Sequence, residues 1–175
     1  MDVLSIIKRE HREVAALFDE AEKCDAADER LHELAKEIST KLSTHVAIEE
    51  RLFYARLKAR AEEEDARVDV FEAYTEHAGA KSLMQMLKSG RKPDEQFKAE
   101  VQVLGENVKH HVKEEESKIF DLARHLLEDH ELDEIGEAWE KAKRRAVRST
   151  PTNGRVKKRT THAPAARGRR TATRR

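Results

Sequence analysis

The chain has 175 residues, of which 40% are charged, and it contains only six glycines and three prolines. This composition favours a helical protein that is large enough to bury one core. Because Cys24 is the only cysteine, an intramolecular disulfide and a metal site built from several thiolates are both excluded. No apolar run approaches the roughly 18 residues of a membrane span, and the first residues lack the pattern of a signal peptide, so we expect a cytoplasmic protein.

Apolar residues recur every three or four positions in four successive segments, which is the spacing of one face of an α-helix. The first stripe runs through Ile7, His11, Val14, Phe18 and Ala21. The second runs through Leu31, Leu34, Ile38, Leu42, His45, Glu49 and Leu52. The third runs through Val70, Tyr74, His77, Ala80, Met84 and Leu87. The fourth runs through Phe97, Val101, Leu104, Val108, His111, Glu115, Ile119 and Leu122.

Three polar breaks separate these stripes, at residues 25–28, around Glu64 and Asp65, and at residues 89–93. The last break is expected to place Pro93 at the first position of the fourth helix. Because short connections favour antiparallel neighbours, the sequence predicts an all-α fold, an up-down-up-down four-helix bundle over residues 1–130.

The last part of the chain divides into a helical segment and a basic tail. The pattern over residues 131–148 predicts a short accessory helix that packs on the bundle through Leu132, Ile135 and Trp139. Residues 149–175 contain nine basic residues, no acidic residue and few large apolar ones. Such a segment cannot bury enough surface to offset the entropy of ordering, so we expect a disordered tail. The rest of the chain then carries 26 basic and 35 acidic side chains, which makes the bundle acidic.

Two histidine–glutamate pairs interrupt the apolar stripes at matched positions. His45 and Glu49 are four residues apart, and so are His111 and Glu115. Each pair therefore lies on one helix face and can reach a common ion. A single pair of this kind is weak evidence in a chain rich in glutamate, but two pairs inside core stripes indicate a metal site.

The spacing of the histidines also indicates an internal repeat. His11 and His45 are separated by 34 residues, as are His77 and His111, so the halves of the bundle repeat at an offset of 66. Other pairs at this offset are Glu10 and Glu76, Leu17 and Leu83, Val46 and Val112, and Glu50 and Glu116. The repeat predicts a pseudo-twofold site that holds two metal ions, and it sets aside His110, which has no counterpart.

The charges within the stripes also favour a metal. A carboxylate in an apolar stripe is costly to desolvate unless it is paired or bound to a metal. Neither Glu49 nor Glu115 has a lysine or arginine in its own stripe. Imidazole with carboxylate and without thiolate suits iron, manganese or zinc, and two such half-sites in a helical bundle suit a di-iron centre best.

Four stretches carry this pattern: His11, His45-Val-Ala-Ile-Glu49-Glu50, Glu76-His77, and His110-His111-Val-Lys-Glu-Glu115-Glu116. They resemble the hemerythrin HHE cation-binding family, and the resemblance covers residues 5 to about 125. It implies two iron ions joined by an oxo or hydroxo bridge. It also implies that two glutamates, Glu49 and Glu115, bridge the irons. The terminal ligands it implies are His11, His45, His77 and His111.

One position departs from the oxygen carriers of that family. Those proteins have a fifth histidine one turn before the one that matches His77, where this chain has Ala73. The resemblance then implies that one iron lacks a protein ligand or that another group replaces it. Tyr74, Tyr54 and Glu50 are candidates for an additional ligand or for hydrogen-bond partners of the ligands. In an ideal α-helix Tyr54 would point nearly opposite to His45, the histidine of its own helix. Packing in the core is an alternative role for both Tyr54 and Tyr74.

The missing histidine favours a redox-reactive protein over a reversible oxygen carrier. We expect it to bind or sense dioxygen, hydrogen peroxide or nitric oxide under redox stress, or to decompose peroxide in a catalase-like reaction, with no catalytic residue apart from the metal site. The alternative is a nucleic-acid-associated regulatory protein, in which the metal bundle is the sensor and the tail binds DNA or RNA. The tail residues expected to contact phosphates are Arg155, Lys157, Lys158, Arg159, Arg167, Arg169 and Arg170. A tail that docks on the acidic bundle is an equally compatible interpretation.

Overall fold

A computed structural model describes residues 1–88 and 92–149 of the chain. The predicted nucleic-acid contacts of the basic tail lie outside these residues. The described part is helical with no strand, as the sequence predicted. None of its helices combines the length and the apolar character needed to cross a membrane.

Seven α-helices and two π-helical segments follow one another within residues 1–88 and 92–149. The α-helices are α1 Val3–Glu22, α2 Glu29–Glu49, α3 Ala55–Arg60, α4 Glu64–Leu87, α5 Glu95–Glu114, α6 Phe120–Leu126 and α7 Asp129–Ser149. The π-helical segments are π1 Glu50–Tyr54, which joins α2 to α3, and π2 Glu115–Ile119, which joins α5 to α6. The described chain therefore forms five continuous helical rods.

The first four rods form the predicted up-down-up-down bundle. Helix α1 packs against α2 and α5, and α4 packs against the same two helices. Ion pairs join Glu13 to Lys41 and Glu20 to Arg30, so the residue number rises along α1 as it falls along α2. Neighbouring helices are thus antiparallel. The fifth rod, α7, packs against α1, α2 and π1, and it begins two residues before the accessory helix predicted from the sequence.

Aspartates cap three of the helices. The side chains of Asp2, Asp28 and Asp94 accept hydrogen bonds from backbone N–H groups in the first turns of α1, α2 and α5. This satisfies donors that have no partner inside the helix. The predicted break at residues 25–28 is therefore confirmed, since its last residue caps the next helix.

Two predicted boundaries differ from the structure. Helix α5 begins at Glu95 after its cap, so Pro93 precedes the cap and does not occupy the first helical position. Helix α4 begins at Glu64, so Glu64 and Asp65 lie in its first turn and not in the preceding break. Acidic side chains are favourable there because the N-terminal end of a helix carries partial positive charge.

The core consists of two apolar clusters. One lies towards α7 and contains Phe53, Tyr54, Phe120 and Trp139 among its largest members. The other lies at the opposite end of the bundle and includes Phe97. Polar side chains of the stripes lie in a layer between the clusters, and the apolar residues on both sides separate this layer from solvent.

Candidate metal centre

Six side chains meet in the polar layer between the apolar clusters, and we call them the His/Glu cluster: His11, His45, Glu49, His77, His111 and Glu115. All six are buried. The Nε2 atoms of His77 and His111 are 3.1 Å apart, and Nε2 of His77 is 3.2 Å from Oε2 of Glu49. Nε2 of His11 is 3.1 Å from Oε2 of Glu115. The four helical rods of the bundle thus bring all the predicted ligand-type side chains together.

Within the cluster, the ligand-type atoms form two groups that share a glutamate. His11, His45 and Glu49 form one group, and Glu49, His77 and His111 form the other, with atoms that lie within 4.8 Å of one another in each group. Glu115 lies near one histidine of each group, since its Oε2 is also 3.8 Å from Nε2 of His111. Both carboxylates therefore lie close to histidines of both groups.

Several buried atoms of the cluster lack hydrogen-bond partners within the described residues. They are Nε2 of His11 and of His45, both carboxylate oxygens of Glu49, and Oε2 of Glu115. The short contact between His11 and Glu115 does not have hydrogen-bond geometry. Leaving such atoms buried and unpaired costs free energy, and a cation among them would remove that cost. The donor set therefore fits metal ions.

The second ring nitrogen of every histidine in the cluster lies beside a carboxylate, and we call these four residues the partner carboxylates. The Nδ1–Oε distances are 3.0 Å for His11–Glu116, 3.0 Å for His45–Glu10, 3.2 Å for His77–Glu50 and 2.8 Å for His111–Glu76. A hydrogen bond at Nδ1 fixes the ring and directs Nε2 to the metal. The side chain of Glu50 lies beside Nδ1 of His77 and outside the two groups of ligand-type atoms.

The partner carboxylates obey the sequence repeat. Glu10 and Glu76 differ by the offset of 66 residues, and so do Glu50 and Glu116. Sequence reasoning found these matches but assigned no role to Glu10 or Glu76. The signal was present, because a glutamate directly before each first-helix histidine recurs in both halves of the bundle.

Lysines neutralise three of the partner carboxylates. Nζ of Lys143 is 2.6 Å from Glu10, Nζ of Lys81 is 2.7 Å from Glu50, and Nζ of Lys8 is 3.3 Å from Glu116. Glu76 differs, since the ion pairs it makes within the described residues are with His111 and the exposed His110. The two halves of the site therefore differ in charge at their outer edges.

Comparison with known proteins identifies the family. The hemerythrin HHE cation binding domain matches residues 2–123 of the chain. The chain belongs to the hemerythrin HHE cation-binding family. The match contains the whole His/Glu cluster and all four partner carboxylates, and helix α7 lies beyond it. Metal binding by this HHE domain therefore agrees with the donor set described above.

Two individual proteins are also similar to this HHE domain. A crystal structure of a hemerythrin HHE cation binding domain-containing protein from Mycobacterium kansasii superposes with a TM-score of 0.70, at 21% identity, over 89% of this chain and 95% of that one. This likeness shows the fold. A DNA nickase of Nostoc sp. is 27% identical over 143 residues, which is 82% of this chain. The HHE chain spans 39% of the length of that nickase.

Tyr54 reaches the centre of the HHE domain, contrary to the ideal-helix geometry used above. Its hydroxyl donates a 2.8 Å hydrogen bond to Oε1 of Glu115, and the side chain is buried. The reason is π1, because a π-helical turn takes up an extra residue and changes the direction of the side chains that follow. Burial and the negative charges of Glu115 and Glu49 raise the pKa of Tyr54, so its hydroxyl keeps its proton at neutral pH.

Tyr74 lies beside the cluster, but within the described residues it makes no hydrogen bond to the ligand-type atoms. Its hydroxyl donates a 3.1 Å hydrogen bond to the backbone carbonyl of Glu50 in π1. That carbonyl lies in the π-helical segment, where the regular α-helical hydrogen-bond pattern changes. The contact therefore connects Tyr74 to the backbone of π1.

In the metal-free protein, a protonated histidine, His45, offsets part of the negative charge of the buried glutamates. Burial alone would lower the pKa of His45, but the charge of Glu49 and the hydrogen bond to Glu10 raise it to about 10. Burial would raise the pKa of Glu10, but hydrogen bonds from His45 and Lys143 lower it to about 2. At neutral pH His45 is therefore protonated in the metal-free HHE domain, and a cation that binds Nε2 has to displace a proton.

Proposed function

We propose that the His/Glu cluster holds two iron ions and that the protein reacts with or senses dioxygen, hydrogen peroxide or nitric oxide. The observation that carries the proposal is that the two groups of ligand-type atoms share Glu49. His11 and His45 would hold one ion, and His77 and His111 would hold the other. Glu49 and Glu115, which lie near histidines of both groups, would be shared between the ions.

The choice of iron follows from the donor set. Imidazole and carboxylate donors without thiolate suit iron, and pairs of such half-sites in helical bundles are typical of di-iron centres. Cys24 belongs to the apolar cluster at the other end of the bundle, and its thiol donates to the backbone carbonyl of Glu20. The thiol therefore has no part in the proposed centre.

The residues around the site support reaction with a small molecule. With two imidazoles and shared carboxylates, each ion would have fewer protein ligands than it can accept, and the small side chain of Ala73 adds none. A pair of iron ions, when bound, supplies redox chemistry with small oxygen- or nitrogen-containing molecules. Tyr54 holds a proton at its hydroxyl, 2.8 Å from Glu115, where it can stabilise negative charge on that carboxylate.

Metal analysis and optical spectra test the proposal. The protein produced with added iron should contain about two irons per chain, and its ferric form should show near-ultraviolet charge-transfer bands. Adding hydrogen peroxide or nitric oxide to the ferrous protein should change the optical spectrum of the ferrous form. Tyr54→Phe and Tyr74→Phe are matched variants: a visible band that either one removes would identify that tyrosine as a ligand. Stoichiometric zinc without iron would contradict the proposal.

We propose, as the second candidate function, that the protein is a nucleic-acid-associated regulator in which the metal bundle is the sensor. The similarity to a DNA nickase and the basic residues after Ser149 support it. Lysine and arginine bind phosphates without sequence preference and with steep salt dependence. The full-length protein should therefore be retained on DNA at roughly 50 mM salt and released as the salt concentration rises. A chain that ends at Arg148 should keep its helicity and metal but lose this binding. No retention of the full-length protein at low salt would refute this function.

A further inference from the structure

A narrow cleft is lined both by surface residues and by two members of the His/Glu cluster, His111 and Glu115. It lies between α4 and the junction of α5 with π2, and we call it the α4 cleft. Asp69, Glu72 and Glu76 line it from α4, and His111, Glu114 and Glu115 line it from the opposite side. Its volume of about 10 Å³ leaves room for roughly one water molecule.

The cleft leads from exposed to buried atoms. Glu72 is exposed, Glu76 is half-buried, and Glu115 is only 1% exposed. Oε2 of Glu115 has no hydrogen-bond partner within the described residues, although it lies 3.1 Å from Nε2 of His11. Glu115, a carboxylate of the candidate metal centre, is therefore the most deeply buried residue of the lining.

The charge of the α4 cleft favours cations. Five of its lining residues are acidic, namely Asp69, Glu72, Glu76, Glu114 and Glu115. The single lysine of the lining, Lys118, forms an ion pair with Glu114. A cleft whose lining carries an excess of charge of one sign raises the local concentration of ions of the opposite sign.

Each of the other three partner carboxylates has a positively charged side chain beside it. Lys143, Lys81 and Lys8 neutralise these carboxylates, and Trp139 of α7 donates a hydrogen bond to Glu10 and covers His45. Glu76, the remaining partner carboxylate, lines the α4 cleft, and its ion pairs within the described residues are with His110 and His111. Among the four histidines of the cluster, His111 is therefore the one whose partner carboxylate lines the α4 cleft and has no lysine among its ion pairs within the described residues.

Ala73 has the smallest side chain in the lining of the α4 cleft. It lies in the lining of the cleft, one turn before His77, and a larger side chain there would point into a space that accepts one water molecule. A cation that passes this point has to exchange bound water for carboxylate oxygens, which the half-buried Glu76 and the buried Glu115 offer.

We propose that the α4 cleft is the route by which divalent cations reach the His/Glu cluster, with Asp69 and Glu72 as the residues that attract them. This inference depends on the proposed function, because it requires the cluster to bind metal. The α4 cleft would then belong to the metal centre, and Asp69 and Glu72, which are not ligand-type residues, would have a role in metal uptake.

Uptake of Co²⁺ by the metal-free, full-length protein tests the proposal, since Co²⁺ bound by imidazole and carboxylate gives visible bands that stopped-flow absorbance can follow. The double variant Asp69→Asn with Glu72→Gln should bind Co²⁺ roughly tenfold more slowly at low salt, given that charge focusing raises association rates by about 10- to 1,000-fold. Its equilibrium affinity should stay within about threefold of the unchanged protein, because neither residue lies in the cluster. The difference in rate should shrink as salt is added.

The matched control is Asp19→Asn with Glu37→Gln, which removes the same charge from exposed positions that do not line the cleft. It should bind Co²⁺ at the unchanged rate. Ala73→Leu should also slow uptake by narrowing the passage, provided that circular dichroism shows an intact fold. Equal rates for the cleft and control variants would overturn the route while leaving metal binding in place. Absence of Co²⁺ binding by the unchanged protein would overturn the proposed function itself.

Discussion

Replacement of Glu49 by glutamine should remove most of the bound metal and lower the thermal midpoint of the metal-loaded protein by roughly 8–16 °C. Glu49 is fully buried and belongs to both groups of ligand-type atoms, so both ions lose a carboxylate donor. Metal present at about 1,000 times its Kd stabilises the fold by about 4 kcal/mol, and each kcal/mol shifts the midpoint by roughly 2–4 °C in a chain of this size. Metal analysis and calorimetry with and without metal measure both effects.

The metal-free forms supply the decisive comparison. Without metal, Glu49 faces protonated His45, which holds the pKa of the buried Glu49 carboxyl well below its usual range, although burial opposes this shift. The variant should therefore lose less stability without metal than with it. Glu106→Gln, at an exposed position of α5, should leave metal content and midpoint unchanged. Equal destabilisation in both forms would assign Glu49 to the fold alone.

Replacement of Trp139 by alanine should lower the free energy of unfolding by about 3–5 kcal/mol, the usual cost of deleting a fully buried aromatic side chain. The Trp139 side chain is 0% exposed, and its ring lies against His45 with centroids 5.4 Å apart. Its Nε1 also donates a 3.2 Å hydrogen bond to Glu10. Urea denaturation should therefore show a lower midpoint, and metal titration should show weaker binding because Glu10 no longer holds His45 as firmly.

Trp139→Phe separates the two contributions. It keeps most of the apolar volume but removes the N–H donor, while Lys143 still contacts Glu10. We expect most of the stability and most of the metal affinity to remain. If Trp139→Ala weakens folding but leaves metal affinity unchanged, α7 contributes packing only, and its contact with Glu10 has no role in positioning the imidazole.

The bundle and the six clustered side chains were predictable because both depend on periodic sequence signals. Helical stripes place His45 and Glu49 on one face, and the offset of 66 residues relates them to His111 and Glu115. Burial along a stripe then forces these side chains into one layer, whatever the details of the turns. The family resemblance and the structure agree on this part of the molecule.

Tyr54, Glu10 and the position of α7 were not predictable in the same way. The direction of Tyr54 depends on a π-helical turn, which periodicity at 3.6 residues does not reveal. The role of Glu10 depends on Trp139 and Lys143, which are more than 125 positions later in the chain. Contacts at such separation follow from the packing of α7 on α1, and the sequence of either helix alone does not specify them.

The two π-helical segments also constrain how this chain can change its length. Each of them, Glu50–Tyr54 and Glu115–Ile119, takes up one residue more than a regular α-helix would. Deleting one residue from the regular α-helix next to either segment would rotate the helix that follows by about 100° about its axis. Such a rotation would turn Leu57 of α3, or Ala123 of α6, out of the apolar cluster that buries it. Insertions and deletions are usually tolerated in loops, so descendants of this chain should vary in length between α1 and α2, and not within the regular α-helix of the two rods that supply Glu49 and Glu115.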